Sequence, residues 1–88
     1  MNPKQLLKVR ILSPRRLIFE GEAMAVSSSN VLGPFDILPF HANFITLIEK
    51  SPIRILKADN QVVTFALPLA ILYQTNNVVS IYTDVNSR

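Results

Sequence analysis

The chain has 88 residues, enough for one domain with a modest core, since a chain of this size buries roughly 63–65% of its unfolded surface. It has no cysteine and one histidine, which excludes a disulfide framework and a histidine-based zinc staple, so packing alone has to hold the fold. Charged residues are 17% of the chain and the net charge is +3, and charge or proline breaks every apolar run well short of the roughly 18 residues a membrane-crossing helix needs.

Leu6-Leu7 is followed at once by Lys8 and Arg10, so no hydrophobic core of a signal peptide develops. Leu7, Val9 and Ile11 alternate with Lys8 and Arg10, the period-two pattern of a half-buried strand. Pro14 ends it, because proline lacks a backbone donor and restricts Ser13 before it. A second strand is predicted at Arg16 to Glu20, with a turn at Gly21 and a third strand through Met24 and Val26 fading into Ser27-Ser28-Ser29. Gly33-Pro34 reads as a turn before Phe35 and Ile37. Phe44 to Ile48 reads as a buried strand and Glu49 to Pro52 as a loop. Ile53 and Ile55 alternate with Arg54, Asp59-Asn60 makes a tight turn, and Val63, Phe65 and Leu67 return antiparallel. Pro68 interrupts the chain before a strand from Leu69 to Tyr73. Asn76-Asn77 is a second strong turn, and Val79, Ile81 and Thr83 close the fold.

No segment carries a capped helix. Turn signals recur every 8–12 residues or so, the spacing of a sandwich or barrel. The expected fold is an all-β, two-sheet antiparallel sandwich of roughly eight to ten short strands in a single domain spanning 1–88, with its core in 6–84. Phe65 is expected in that core, where its loss to alanine costs about 3–5 kcal/mol.

The low charge implies that part of the exterior is apolar, which suits a subunit covered by partners, although a surface of neutral Ser, Thr, Asn and Gln would serve equally. Lys4, Lys8, Arg10, Arg15 and Arg16 precede the first acid, Glu20. Such a cluster can meet nucleic acid, anionic lipid or an acidic protein. The simpler reading is a solvated edge strand whose cations discourage aggregation, because no aromatic residue is interleaved as a stacking platform.

The inventory for catalysis is thin. Glu20 and Glu22 would share a face only if their strand continued through Gly21, and exposed turn acids are the commoner case. Ser27, His41 and Asp36 can be written as a triad, but the glycine-flanked nucleophile elbow is missing. With two glycines in the whole chain, there is no phosphate-cradling loop. No catalytic, metal-binding or cofactor-binding residue is expected, and no cofactor.

Gly33-Pro34-Phe35-Asp36-Ile37-Leu38-Pro39-Phe40-His41-Ala42 resembles a loop written G-x-x-G-I-L-P-G-H-A-P in the epsilon subunits of F-type, proton-translocating ATP synthases. Val9 to Pro14 and Ile18 to Glu22 resemble that family's opening strand, turn and F-x-G-E segment. Ile53-Arg54-Ile55, Phe65-Ala66 and Asn77 to Asp84 resemble its later strands, so the likeness runs from 6 to 84. It departs where Asp36 and Phe40 stand at family glycines, Asn43 at a proline, and Pro68-Leu69-Ala70 at S-G-G. Those glycines permit close approach or positive φ.

The resemblance implies the N-terminal β-sandwich domain alone, without the C-terminal helical hairpin that carries inhibition of ATP hydrolysis. It implies a non-catalytic central-stalk subunit that couples the gamma subunit to the c-ring while proton flow drives ATP synthesis. The expected place is the cytoplasmic face of a bacterial inner membrane, peripheral, with membrane contact only through the complex. Phe35, Asp36, Leu38, Pro39, Phe40 and His41 are the implied partner interface, with the Pro39-Phe40-His41 loop on the c-ring, and no nucleic acid is expected. Two alternatives stay open: a small basic β-barrel binding single-stranded nucleic acid, and a stand-alone sandwich adaptor or homo-oligomer.

Overall fold

The computed structural model describes residues 5–84. Eight strands follow in chain order: β1 Leu7–Leu12, β2 Leu17–Asn30, β3 Gly33–Ile37, β4 Phe44–Glu49, β5 Pro52–Lys57, β6 Val62–Ala66, β7 Leu69–Thr75 and β8 Val78–Thr83. Hydrogen bonding orders them β4-β7-β8-β1-β2-β5-β6, with β3 also on β2. The ladder folds over on itself through β2. The first half of β2 pairs with β1, and the second half pairs with β3 and β5. One layer is therefore β4-β7-β8-β1 with the start of β2. The other is β3, the end of β2, β5 and β6.

Period-two alternation decides what faces inward. Leu7, Val9 and Ile11 on β1, Val79 and Ile81 on β8, and Ala70 and Leu72 on β7 meet Val26, Ile37, Ile53 and Ile55 from the opposite layer, all essentially without solvent contact. The hairpins at both asparagine turns form as the sequence predicts. Asn60, Asn76 and Asn77 take positive φ, and Asp59 Oδ1 accepts the Gln61 amide at 3.0 Å.

Four expectations are corrected. Gly21 is no turn: β2 runs unbroken through it, with Gly21 opposite Val9. Its missing side chain makes room for the Phe19 ring, since a Cβ there would stand 3.3 Å from Phe19 Cζ. The strand bends a little further on, where its register against β5 shifts between Ala23 and Ala25. A bulge of this kind sharpens twist and lets one strand serve two layers.

The turn also sits earlier than Gly33-Pro34. Val31-Leu32 form a two-residue tip between Asn30 and Gly33. Asn30 Oδ1 accepts the Leu32 amide at 2.8 Å, and Gly33 supplies a φ of 121° that only glycine adopts cheaply.

Third, β1 is not an edge strand. It lies between β2 and β8, and its pairing with β8 is the one parallel contact among the described strands. Fourth, Phe65 is not in the closed core. It sits half-buried on the terminal strand β6, its ring edge-on to Phe19 at 5.5 Å between centroids. Phe65→Ala is therefore expected to cost about 1.5–3 kcal/mol in urea denaturation, below the full-burial figure.

One buried residue does not match its surroundings. Gln74 of β7 is fully buried, and neither atom of its side-chain amide meets a protein hydrogen-bonding partner. An unpaired buried amide costs about 1–3 kcal/mol. Gln74→Leu, of similar volume, is expected to raise the urea midpoint with an unchanged slope, a gain of about 1–2 kcal/mol.

Candidate docking surface

The outer face of the β4-β7-β8 layer is apolar where a solvated face would alternate. On β7, Leu69, Ile71 and Tyr73 point out between the inward Ala70, Leu72 and Gln74. Register sets their neighbours: Ile71 lies between Leu47 of β4 and Tyr82 of β8, and Tyr73 lies beside Ile45. Ile45 is 67% exposed and Ile71 46%. Directly opposed side chains in a sheet stand about 4.5–5.5 Å apart, so these residues form one continuous patch about three strands wide. Leu47, Leu69, Ile71 and Tyr82 also line a shallow depression of about 290 Å³.

Beside the patch the same face turns charged. Lys8 stands opposite Glu22, and Arg10 opposite Glu20, with Arg10 Nε 3.7 Å from Glu20 Oε2. Because β2 continues through Gly21, the two glutamates do share a face. Each stands opposite a cation in the ladder, and Glu20 is ion-paired with Arg10. The basic cluster is thereby divided: Lys8 and Arg10 are matched by acids, Arg15 and Arg16 sit exposed in the β1–β2 turn, and Lys4 lies outside the described residues. This removes the continuous cationic groove that single-stranded nucleic acid requires.

The six residues singled out from the sequence separate into groups. Phe35 points inward from β3 and packs edge-on against Phe44, 5.2 Å between centroids. Asp36 is exposed on the same strand and accepts a hydrogen bond from Ser27 Oγ. Leu38, Pro39, Phe40 and His41 come together in the turn that carries the chain from β3 to β4, closed by the His41 amide donating to the Leu38 carbonyl at 3.1 Å. Leu38 and Phe40 are exposed, and Pro39 and His41 half-buried. The His41 ring meets Phe44 edge-on at 5.5 Å between centroids, and its Nδ1 lies 2.8 Å from the Ala42 carbonyl oxygen. The histidine is engaged by its own loop, and the triad with Ser27 and Asp36 does not form.

Phe40 has the least ordinary backbone of the six. Its φ is 69°, in the left-handed region, and its ring is 71% exposed. Its amide donates to Asn77 Oδ1 at 2.7 Å, fastening the loop to the β7–β8 turn.

Sequence reasoning missed the apolar patch, although a signal was present. Phe44 to Ile48 and Leu69 to Tyr73 are apolar at nearly every position, which is the pattern of strands covered on both faces. That pattern predicts a buried strand at Phe44 to Ile48. In the fold β4 has Ile45 and Leu47 exposed, so one of its faces is covered by the core and the other is open. The tip residues Val31 and Leu32 are also left in the open, 98% and 92% exposed.

Among the described residues the two layers enclose an apolar core, leave an apolar outer face, and bring no reactive groups together. The sequence places the chain further. The family described as ATP synthase, Delta/Epsilon chain, beta-sandwich domain matches residues 6–88, and the chain belongs to that family. It is 41% identical over 56 residues to the ATP synthase epsilon chain of Sulfurimonas denitrificans, covering 64% of this chain and 43% of that protein. It is 31% identical over 81 residues to the epsilon chain of Clostridium kluyveri, covering 92% and 61%. The chain thus spans between two-fifths and about three-fifths of the length of these relatives. Among solved structures, a chain of the Euglena gracilis mitochondrial ATP synthase, OSCP/F1/c-ring, superposes with a TM-score of 0.83 at 12% identity, over 94% of this chain and 53% of that one. A chain of the Tetrahymena thermophila mitochondrial ATP synthase central stalk/c-ring gives 0.72 at 14%, over 96% and 67%. At those identities the likeness is one of fold.

Proposed function

We propose that the chain is a non-catalytic central-stalk subunit of an F-type ATP synthase, a single β-sandwich domain over 1–88 that couples the gamma subunit to the c-ring as proton flow drives ATP synthesis. In this reading it lies peripherally at the cytoplasmic face of a bacterial inner membrane, held there by the complex. The outer face of the β4-β7-β8 layer meets gamma, and the Leu38–His41 turn meets the c-ring.

The observation that carries this is the continuous apolar face of Ile45, Leu47, Leu69, Ile71, Tyr73 and Tyr82. Three strands about 4.8 Å apart present a strip roughly as wide as an α-helix, so an amphipathic helix could bury its apolar side along it. Patches of this kind mark protein contacts in a body that otherwise needs to be soluble. Transmitting torque also calls for a body that does not deform. A sheet ladder closed around a dry core meets that need, because close-packed interiors transmit strain with little compression.

The test is co-elution. The purified chain is mixed with gamma and with a detergent-solubilised c-ring and passed over a sizing column. The chain is expected to leave with the assembled stalk, and its elution alone in the presence of both would refute the proposal.

A further inference from the structure

We propose that Phe40 is the anchor of the loop contact, a ring held out on a strained backbone so that it fills an apolar socket on the c-ring. The inference rests on the c-ring reading of the Leu38–His41 turn given above. It adds which residue carries the binding and what the free domain gives up to present it.

Two observations meet at this residue. A bulky side chain at φ 69° is disfavoured, because its Cβ crowds the following carbonyl, and local sterics alone would select glycine or asparagine there. The ring gains little in return, being 71% exposed to water. Strain without an intramolecular benefit points to a use outside the chain.

The strained conformation is also held in place. Asn77 Oδ1 accepts the Phe40 amide at 2.7 Å, and the Asn77 carbonyl accepts the Lys8 amide at 2.8 Å. The loop is thus tied through the β7–β8 turn to the central strand β1. Asn77 is a positioning residue: it fixes where the ring stands and leaves the outward contact to Phe40. Such pre-organisation lowers the ordering cost of binding.

The surroundings specify the occupant. The ring overhangs a cleft of about 380 Å³ shared by His41, Asn43, Asn76 and Asn77. No lysine or arginine lines that cleft, so its walls lack the cations that lipid headgroups or nucleic acid phosphates would need. Aromatic knobs ringed by neutral polar groups are the composition of a protein–protein interface core. A protein socket that is apolar at its floor and offers hydrogen-bonding groups to the asparagines at its rim is the complement.

The experiment reads stability and affinity together. Phe40→Gly and Phe40→Asn relieve the left-handed strain, and each is expected to raise the melting temperature by about 4–8 °C. Each is also expected to weaken binding to the detergent-solubilised c-ring at least tenfold, with binding to isolated gamma unchanged. A residue with a purely structural role would not move the two readouts in opposite directions. Retention of c-ring affinity within twofold in both variants overturns the anchor, and a lowered melting temperature in both overturns the strain argument. If the unmutated chain binds gamma but not the c-ring, the c-ring reading of this loop falls, and this inference with it.

Discussion

Ile71→Arg is expected to leave the melting temperature within about 3 °C of the unmutated chain and to weaken gamma binding at least 100-fold. The side chain points away from the core, from the middle of β7, so the fold does not depend on it. In the complex it is expected at the centre of the buried patch, flanked by Leu47 and Tyr82. A guanidinium there would be stripped of water with no acid facing it, because Glu20 and Glu22 lie across two strands and already stand opposite Arg10 and Lys8. An unpaired buried charge costs about 3–5 kcal/mol, and each 1.4 kcal/mol or so is tenfold in affinity. Val62→Arg supplies the control. Val62 is also exposed, but it lies on β6 at the far end of the strand order, and its replacement is expected to change neither readout. Isothermal titration with purified gamma measures both variants. Unchanged affinity in Ile71→Arg would remove this face from the interface.

The strands were legible wherever one face is dry and the other wet. Leu7 to Ile11, Ile53 to Ile55 and Val79 to Thr83 alternate cleanly because each covers the core on one side only, and the two asparagine turns mark their hairpins by residues that tolerate positive φ. Legibility failed where a residue served a purpose beyond its own strand. Gly21 reads as a turn because glycine usually marks one. Here it clears space for Phe19, a neighbour that only the fold supplies. The parallel β1–β8 pairing joins the two ends of the chain, and no local pattern announces such a contact. Hence the cations of β1, read as guards of an edge, lie on an interior strand.

The candidate docking surface shows the same division. The motif around His41 pointed to a loop, and the fold brings Leu38 to His41 into one exposed turn while sending Phe35 inward to Phe44. The larger apolar face left only a weak trace, because an apolar residue awaiting a partner and one already in the core are the same letter. What separates them is register. Once Leu69, Ile71 and Tyr73 are seen to alternate with Ala70, Leu72 and Gln74, the pattern divides into a core face and an apolar outer face. The low charge content was the one global sign that the second face existed. Among the described residues twelve large apolar side chains stand exposed, and six of them fall in this patch.

Ile81→Ala is expected to cost about 3–5 kcal/mol and to lower the melting temperature by roughly 12–40 °C. Ile81 is fully buried on β8, paired with Ile11 of β1 on one side and Leu72 of β7 on the other, and both of those are fully buried as well. Truncation opens a cavity beneath three consecutive strands that the sheet cannot close, because each is held in register by its ladder. A domain of this length has about 4–13 kcal/mol in total, so one cavity consumes a large part of it, with no disulfide to compensate. Ile45→Ala removes the same side chain from the outer face, where Ile45 is largely exposed, and is expected to shift stability by no more than about 0.5 kcal/mol. The contrast between the two isoleucines, measured by urea denaturation of the free chain, tests the assignment of inner and outer faces directly. Comparable losses in both would mean that the outer face is already covered in solution, by a second copy of the chain.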